Sequence, residues 1–150
     1  MLVVVAIVQF GLLLNTNVTL TNAAREGARS GTIYEYNVQG GDQTWNDARR
    51  CEAITTAATA AFGILKNTSP FFVTNATCTS VSADVWTNGD VRVEYVRPAS
   101  VSVNTEREGY QLTVTLTYRQ DIIVPLIGNL LSRDATGRFV QQAQVTMVVN

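Results

Sequence analysis

The chain contains no histidine, and this absence excludes much of enzyme chemistry. Histidine is the commonest metal ligand and the side chain best suited to acid–base work near neutral pH, so a Ser-His-Asp triad is excluded. Ser–Lys chemistry would depend on the only lysine, Lys66. The neighbouring carboxylates, Glu106 with Glu108 and Asp84 with Asp90, are typical of solvated turns rather than of a glycosidase pair. We therefore predict that the protein is not an enzyme and that it binds no cofactor or metal.

Charge is also scarce. The 150 residues carry 11 Lys and Arg against 12 Asp and Glu, which gives a formal net charge of −1 and a pI near 5.3. A nucleic-acid-binding domain shows a basic patch or stripe, and no run of Lys and Arg occurs here. The composition therefore predicts no nucleic acid partner. The length leaves room for one ordinary domain.

Only two cysteines are present, Cys51 and Cys78. In an exported protein they are expected to form one disulfide, whereas in a cytosolic protein they would be two buried free thiols. Closing this loop would contribute roughly 3–4 kcal/mol in the chain-entropy model. Cys51 falls on the buried stripe of a predicted helix, so its partner should come from the sheet that this stripe covers. That placement favours the disulfide.

An apolar run opens the chain and predicts a single long helix over residues 1–32, about 48 Å in length. Its first part, Met1–Leu14, lacks the basic start and the cleavage site of a signal peptide. Fourteen helical residues span only about 21 Å, short of the roughly 30 Å hydrocarbon core. Either more apolar sequence precedes Met1 in a precursor, or this segment lies in a core made of protein. We favour neighbouring copies of the same helix as that core.

The second part of this helix is rich in small residues. Asn15, Asn22 and Arg29 recur every seven residues on one polar stripe. Small residues recur every four positions, a signature of closely approaching helices; these pairs are Ala23/Gly27, Ala24/Ala28 and Gly27/Gly31. The stripe of small residues packs either on the helices of other copies or on the chain's own domain, and both contacts can exist on different faces.

A second helix and a sheet are predicted for residues 33–150. Thr44-x-x-Asp47 is similar to a capping box at a helix start, and apolar residues at helical spacing continue to Leu65 before Ser69-Pro70 ends the helix. From Phe71 onward the period changes to two, which indicates strands. The strands are centred on Val81–Val85, Val91–Tyr95, Leu112–Tyr118 and Phe139–Val149, with a hairpin at Asn88-Gly89-Asp90 and an apolar insert at Ile122–Leu131 that forms a short helix or a wide loop.

The predicted fold is thus α+β: a long N-terminal helix, and a second helix packed on an antiparallel sheet of about four strands. Residues 1–32 form an assembly or membrane helix, and residues 33–150 form a globular α+β domain.

Two short segments carry a resemblance to a known family. Gln9-Phe10-Gly11 followed by Asn22-Ala-Ala-Arg-Glu-Gly-Ala-Arg29 resembles the TadE-like family, the pilin-like proteins of tight-adherence systems. Leu112–Tyr118 and Ile123–Ile127 are similar to the C-terminal half of the same family. The chain departs from the family pattern at residue 5, which is Val instead of Glu, and at Gln9, which replaces an acidic residue.

The resemblance implies a membrane-held, exported subunit that enters an extracellular, cell-surface pilus through its N-terminal helix. Its partners would be copies of itself, inner-membrane lipid and the assembly machinery. The expected assembly residues are Val4, Ile7, Val8, Phe10, Gly11, Leu14, Ala24, Arg25, Glu26, Gly27, Ala28, Arg29 and Gly31. On this view Gly27→Leu would block polymerisation and leave the domain folded. Arg25, Glu26 and Arg29 would set register between copies, the alternative being an intrahelical Glu26–Arg29 pair.

Two other functions remain open at this point. One is a minor pilin or a pseudopilin that works inside a secretion apparatus without forming a long fibre. The other is a membrane-anchored adhesin whose loops, such as Ala99–Gly109 and Ser132–Arg138, hold a surface or host ligand.

Overall fold

The computed structural model describes residues 2–33, 42–63, 72–122 and 134–150. These residues form two helices, α1 (Leu2–Thr32) and α2 (Gln43–Phe62), followed by five strands. The strands are β1 (Thr79–Ser82), β2 (Val85–Asn88), β3 (Val91–Val96), β4 (Gln111–Gln120) and β5 (Phe139–Val148). They pair in sequence order as one antiparallel sheet. The predicted α+β class, with one long and one shorter helix on an antiparallel sheet, is confirmed.

The strand count differs from the predicted number of about four. Val81 and Val85 were expected on one strand, but a turn at Ala83 and Asp84 folds this segment into the β1–β2 hairpin. Val81 is therefore 63% exposed rather than part of the core. The alternating pattern could not show the turn, because Ser, Ala and Asp at its centre fit an exposed strand edge equally well.

One face of the sheet is buried beneath both helices. Val91, Val93 and Tyr95 on β3 pair with Leu116, Val114 and Leu112 on β4, and all six side chains point into the core. The opposite face carries threonines and glutamines, for example Thr113 hydrogen-bonded to Thr146 at 2.9 Å. This alternation of apolar and polar positions is the pattern expected of a sheet with one covered face.

Helix α2 begins and ends with standard capping residues, at positions that differ from those predicted. Asp42, rather than Thr44, is the N-cap, and its carboxylate accepts a hydrogen bond from the Trp45 backbone N–H at 2.7 Å. Gly63 ends the helix with a positive φ of 53°. Leu65 and the predicted stop at Ser69-Pro70 lie outside the described residues, as does the apolar insert beyond Ile122.

The core continues across the predicted boundary between residues 32 and 33. Leu20, Ala23, Ala24 and Ala28 of α1 are fully buried with Ile54 and Phe62 of α2 and with the inner face of the sheet. The second half of α1 is therefore part of the folded domain. The division at residue 32 stays a prediction.

The β2–β3 hairpin provides a test of backbone packing. Gly89 has a φ of 60°, and a Cβ atom there would lie 2.0 Å from the Val73 carbonyl oxygen. That carbonyl also accepts the Asp90 N–H at 2.9 Å. Gly137 has a φ of 81° but nothing within 4 Å of a Cβ. Both glycines have a left-handed backbone conformation, and an alanine in that conformation lowers the free energy of unfolding by about 1–2 kcal/mol.

We expect Gly89→Ala to destabilise the protein clearly more than Gly137→Ala, because only Gly89→Ala also displaces the backbone at Val73. Urea unfolding of both variants beside the unsubstituted protein measures the difference. Equal losses would show that segment 72–75 does not pack on this hairpin as described.

Candidate assembly and membrane surface

The first half of α1 exposes apolar side chains around most of its circumference. Val3 is 70%, Ile7 66% and Leu14 65% exposed. The other exposed apolar residues of α1 are Val4, Val5, Val8, Phe10, Leu12 and Val18. A contiguous apolar patch of this kind marks a protein or membrane contact on a soluble domain. The predicted assembly residues Val4, Ile7, Val8, Phe10, Gly11 and Leu14 all lie on this exposed surface.

Helix α1 is long and apolar enough over residues 3–32 to cross a membrane by length and composition, and its most apolar window has a mean hydropathy of 1.8. Only 22% of the most apolar window is buried, whereas the core helix of a soluble protein is mostly buried. Thr16, Thr19 and Thr21 each donate their hydroxyl to the carbonyl four residues earlier. These bonds satisfy polar groups within the helix itself, as an apolar environment requires.

The small residues of α1 pack on the chain's own second helix. A Cβ built on Gly27 would lie 3.2 Å from the Ala58 Cβ and 3.3 Å from the Ile54 carbonyl oxygen. At Gly31 it would lie within 3 Å of the Ile54 and Leu112 side chains. Ala24 and Ala28 are fully buried beside them. Of the two contacts weighed for this stripe, the structure places these four residues in the intramolecular one.

This placement changes what a Gly27→Leu variant would report. The leucine side chain would press on the α2 backbone at Ile54, so it would disturb the folded domain before it met another copy. The structure therefore favours destabilisation of the domain in that variant over a block of polymerisation in a folded domain.

Arg25, Glu26 and Arg29 lie on the exposed side of α1. Within the described part of the chain, their side chains make no ion pair or hydrogen bond with one another or with any other group. The intrahelical Glu26–Arg29 pair is thus not formed. Asn15 and Asn22 are exposed on the same side, as the seven-residue polar stripe predicted.

A polar contact attaches the apolar half of α1 to the edge of the sheet. Gln141 on β5 donates its side-chain amide to the Leu13 carbonyl at 3.2 Å, and both residues are buried. Gln9, one turn before Leu13, is 2% exposed. Beside this contact lies an open cleft of about 390 Å³, lined by Phe10, Leu13, Leu14, Asn17, Phe139, Val140, Gln141 and Gln142.

The predicted disulfide between Cys51 and Cys78 is present, with an S–S distance of 2.05 Å. Cys51 is fully buried on α2 and Cys78 directly precedes β1. The bond therefore joins the second helix to the edge of the sheet, the position that the helical stripe of Cys51 indicated.

The sequence pattern did not predict a buried charged cluster around Arg107. Arg107 is 2% exposed and pairs with Asp47 at 2.8 Å and with Asp84 at 2.6 Å. Its guanidinium also lies over the Tyr95 and Tyr110 rings and donates to the Ala83 carbonyl. The arginine thus connects α2, the β1–β2 turn and the loop before β4.

The backbone and the charges at this cluster both carry an energetic cost. Arg107 has a φ of 63°, in the left-handed region that few non-glycine residues adopt. Burial raises the pKa of the Asp47 carboxyl, although the hydrogen bonds from Arg107 act in the opposite direction. The ion pair therefore offsets only part of the cost of burying the two charges.

Asp84 and Asp90, two of the candidate catalytic carboxylates, form ion pairs with arginines. Asp84 binds Arg107, while Asp90 binds Arg119 and accepts the Val73 N–H at 2.9 Å. Asp84 and Asp90 therefore serve two separate structural contacts. No cluster of three or more potential metal-ligating acidic or cysteine residues occurs in the described part of the chain.

A family model described as TadE-like protein matches residues 1–29. This match confirms the resemblance inferred from Gln9-Phe10-Gly11 and Asn22–Arg29, and it ends within α1. No curated protein and no solved structure matches the chain significantly. The TadE-like match and the exposed apolar helix together fit a membrane-anchored, pilus-associated protein.

The Arg107 cluster leads to a stability prediction. Arg107→Met would leave the Asp47 carboxylate buried without its partner, so we expect a loss of about 3–5 kcal/mol in the free energy of unfolding. The matched control is Arg92→Met, which removes a half-exposed pair with Glu94 and should cost less than about 1 kcal/mol. Urea unfolding measures both losses. Adding Asp47→Asn to Arg107→Met should recover part of the loss. Similar losses for Arg107→Met and Arg92→Met would contradict the role assigned to Arg107.

Proposed function

We propose that this protein is a structural subunit of an extracellular pilus-like filament. Helix α1 holds the chain in the inner membrane before assembly and then packs with the α1 helices of other copies. The observation that carries the proposal is that the TadE-like match covers residues 1–29. The same helix is apolar and exposed in its first half and packed into the folded domain in its second half.

The exposed apolar surface needs a cover both before and after assembly. Burying apolar surface lowers the free energy by about 25 cal/mol per square ångström. Side chains such as Val3, Ile7 and Leu14 are therefore favoured in lipid or against protein over water. Before assembly this surface is buried in the lipid of the inner membrane. In the filament it is buried against neighbouring copies.

The hydrophobic effect alone does not move a helix from lipid into a filament, because lipid tails are as apolar as the side chains of a neighbour. The preference for neighbours must come from shape and from polar contacts. Arg25, Glu26 and Arg29 suit this role, because all three are exposed and their side chains have no partner within the described residues. In the filament we assign them to ion pairs between copies, which set register more than stability.

The globular part would form the outer surface of the filament. The Cys51–Cys78 bond clamps α2 to the sheet, and disulfides of this kind persist in the oxidising space outside the cytoplasm. Catalysis, a cofactor and a nucleic acid partner have no place in this proposal.

The proposal predicts that a charge in the apolar half of α1 stops assembly. Ile7→Glu should abolish surface filaments, because a carboxylate is costly in lipid and in an apolar helix contact. The control is Val103→Glu, which places the same charge at a 76% exposed position outside both helices and the sheet and should leave filaments normal. Electron microscopy of cells and mass spectrometry of sheared surface material measure the outcome.

Several outcomes distinguish the alternatives. Normal filaments from Ile7→Glu would contradict the proposal. Sheared filaments that contain the unsubstituted chain only in traces would indicate a minor pilin or a pseudopilin. Ligand binding by the monomer without any filament would indicate an adhesin. Membrane fractionation of Ile7→Glu separates a failure to enter the membrane from a failure to polymerise.

A further inference from the structure

The cleft between α1 and β5 has the character of a protein docking site. Phe10, Leu14, Phe139 and Val140 give it apolar walls, and Asn17 and Gln142 lie at its polar margin. None of the described residues that line it carries a charge. Its volume of about 390 Å³ lies within the range of about 300–1,000 Å³ typical of pockets that enclose a small molecule or a group of side chains.

The cleft is held in shape by contacts that do not depend on a ligand. The Gln141 amide bonds to the Leu13 carbonyl at its base. Strand β5, which forms the far wall, pairs with β4 over ten consecutive positions from Gln111↔Val148 to Gln120↔Phe139. A preformed site spends little free energy on ordering when it binds.

Helix α1 presents two different apolar sides next to its buried line. Successive residues are about 100° apart around a helix, so Val8 and Phe10 point about 200° apart. Phe10 and Leu14 form the side that borders the cleft. Val8 and Leu12 form the other side, which is 56% and 44% exposed at these two residues.

We propose that the cleft receives the Val8–Leu12 side of α1 from a second copy of this chain. This inference rests on the proposed function, since membrane-held copies enter a filament with their helices parallel. Along the helix axis, the midpoint of Val8 and Leu12 lies about one turn before the middle of the segment from Phe10 to Asn17 that lines the cleft. The two copies are therefore displaced along the helix axis by roughly 5 Å.

Three observations favour a second copy as the occupant. The Val8–Leu12 side of α1 and the walls of the cleft are both apolar and uncharged, so they complement each other. The cleft is continuous with the exposed part of α1, so one neighbouring helix covers both surfaces. The two contacting sides are different surfaces of the same chain, so the contact repeats from copy to copy, and the axial displacement keeps the repeat from closing into a ring.

Thiol cross-linking in assembled filaments tests this contact. Both native cysteines are engaged in the disulfide, so an added cysteine is the only free thiol in each variant. Val8→Cys and Leu14→Cys replace exposed residues on opposite sides of α1. We expect a short bifunctional maleimide to give dimers when the two full-length variants are co-assembled, and little dimer when either variant assembles alone.

The control pair combines Leu14→Cys with Val103→Cys, which is equally accessible but far from α1 in the sequence and should give no dimer. Dimers from Leu14→Cys alone would indicate a symmetric contact and overturn the inference. Normal filaments without any mixed dimer would overturn it as well. The same holds if a membrane-soluble monofunctional maleimide labels Leu14→Cys in such filaments, because this result would indicate lipid in the cleft. Absence of filaments from the unsubstituted chain would instead be a failure of the proposed function.

Discussion

The close approach of α1 to α2 is the constraint on which the rest of the structure depends. Gly27 lies so close to Ile54 and Ala58 that even a Cβ atom there would require its neighbours to shift by a few tenths of an ångström. This contact fixes the direction of α1 relative to the sheet. Since α1 is one continuous helix of 31 residues, fixing its second half also fixes where the first half points. The direction of the apolar residues before Asn15 therefore follows from this packing together with the Gln141 contact to the Leu13 carbonyl.

This constraint divides one helix between two environments. After Leu20 the inward line consists of small residues that allow a tight contact within the chain. Before Asn15 the exposed residues are mostly large and aliphatic, and they suit lipid or loosely fitted neighbours. In the proposed filament, contacts between copies would use the large residues and the exposed polar groups, because the small residues are already occupied. The polar groups include Arg25, Glu26 and Arg29.

The sequence predicted features that depend on local periodicity and missed those that depend on distant pairs. Both helices, the Gly89 hairpin and the disulfide follow from spacing, turn chemistry and a cysteine count of two. The Arg107 cluster does not, because Asp47 is 60 residues away and nothing in the loop pattern marks a buried arginine. The small-residue stripe was ambiguous for a different reason. Spacing shows that helices approach closely, but only the fold determines whether the partner helix belongs to the same chain.

The unlike sides of α1 follow from the same packing. Helix α1 packs on the sheet along one buried line and has a flank on each side of that line. The two flanks are equivalent only if the same kind of surface lies beside each of them. Here β5 adds a wall at Phe139 and Val140 beside Phe10 and Leu14, whereas Val8 and Leu12 on the other flank are exposed. A two-fold contact would have to place identical flanks together and would leave the other flank in water. In the proposed filament a contact between unlike flanks would cover both on every copy, and this asymmetry of one folded chain is what would favour an open assembly over a closed dimer.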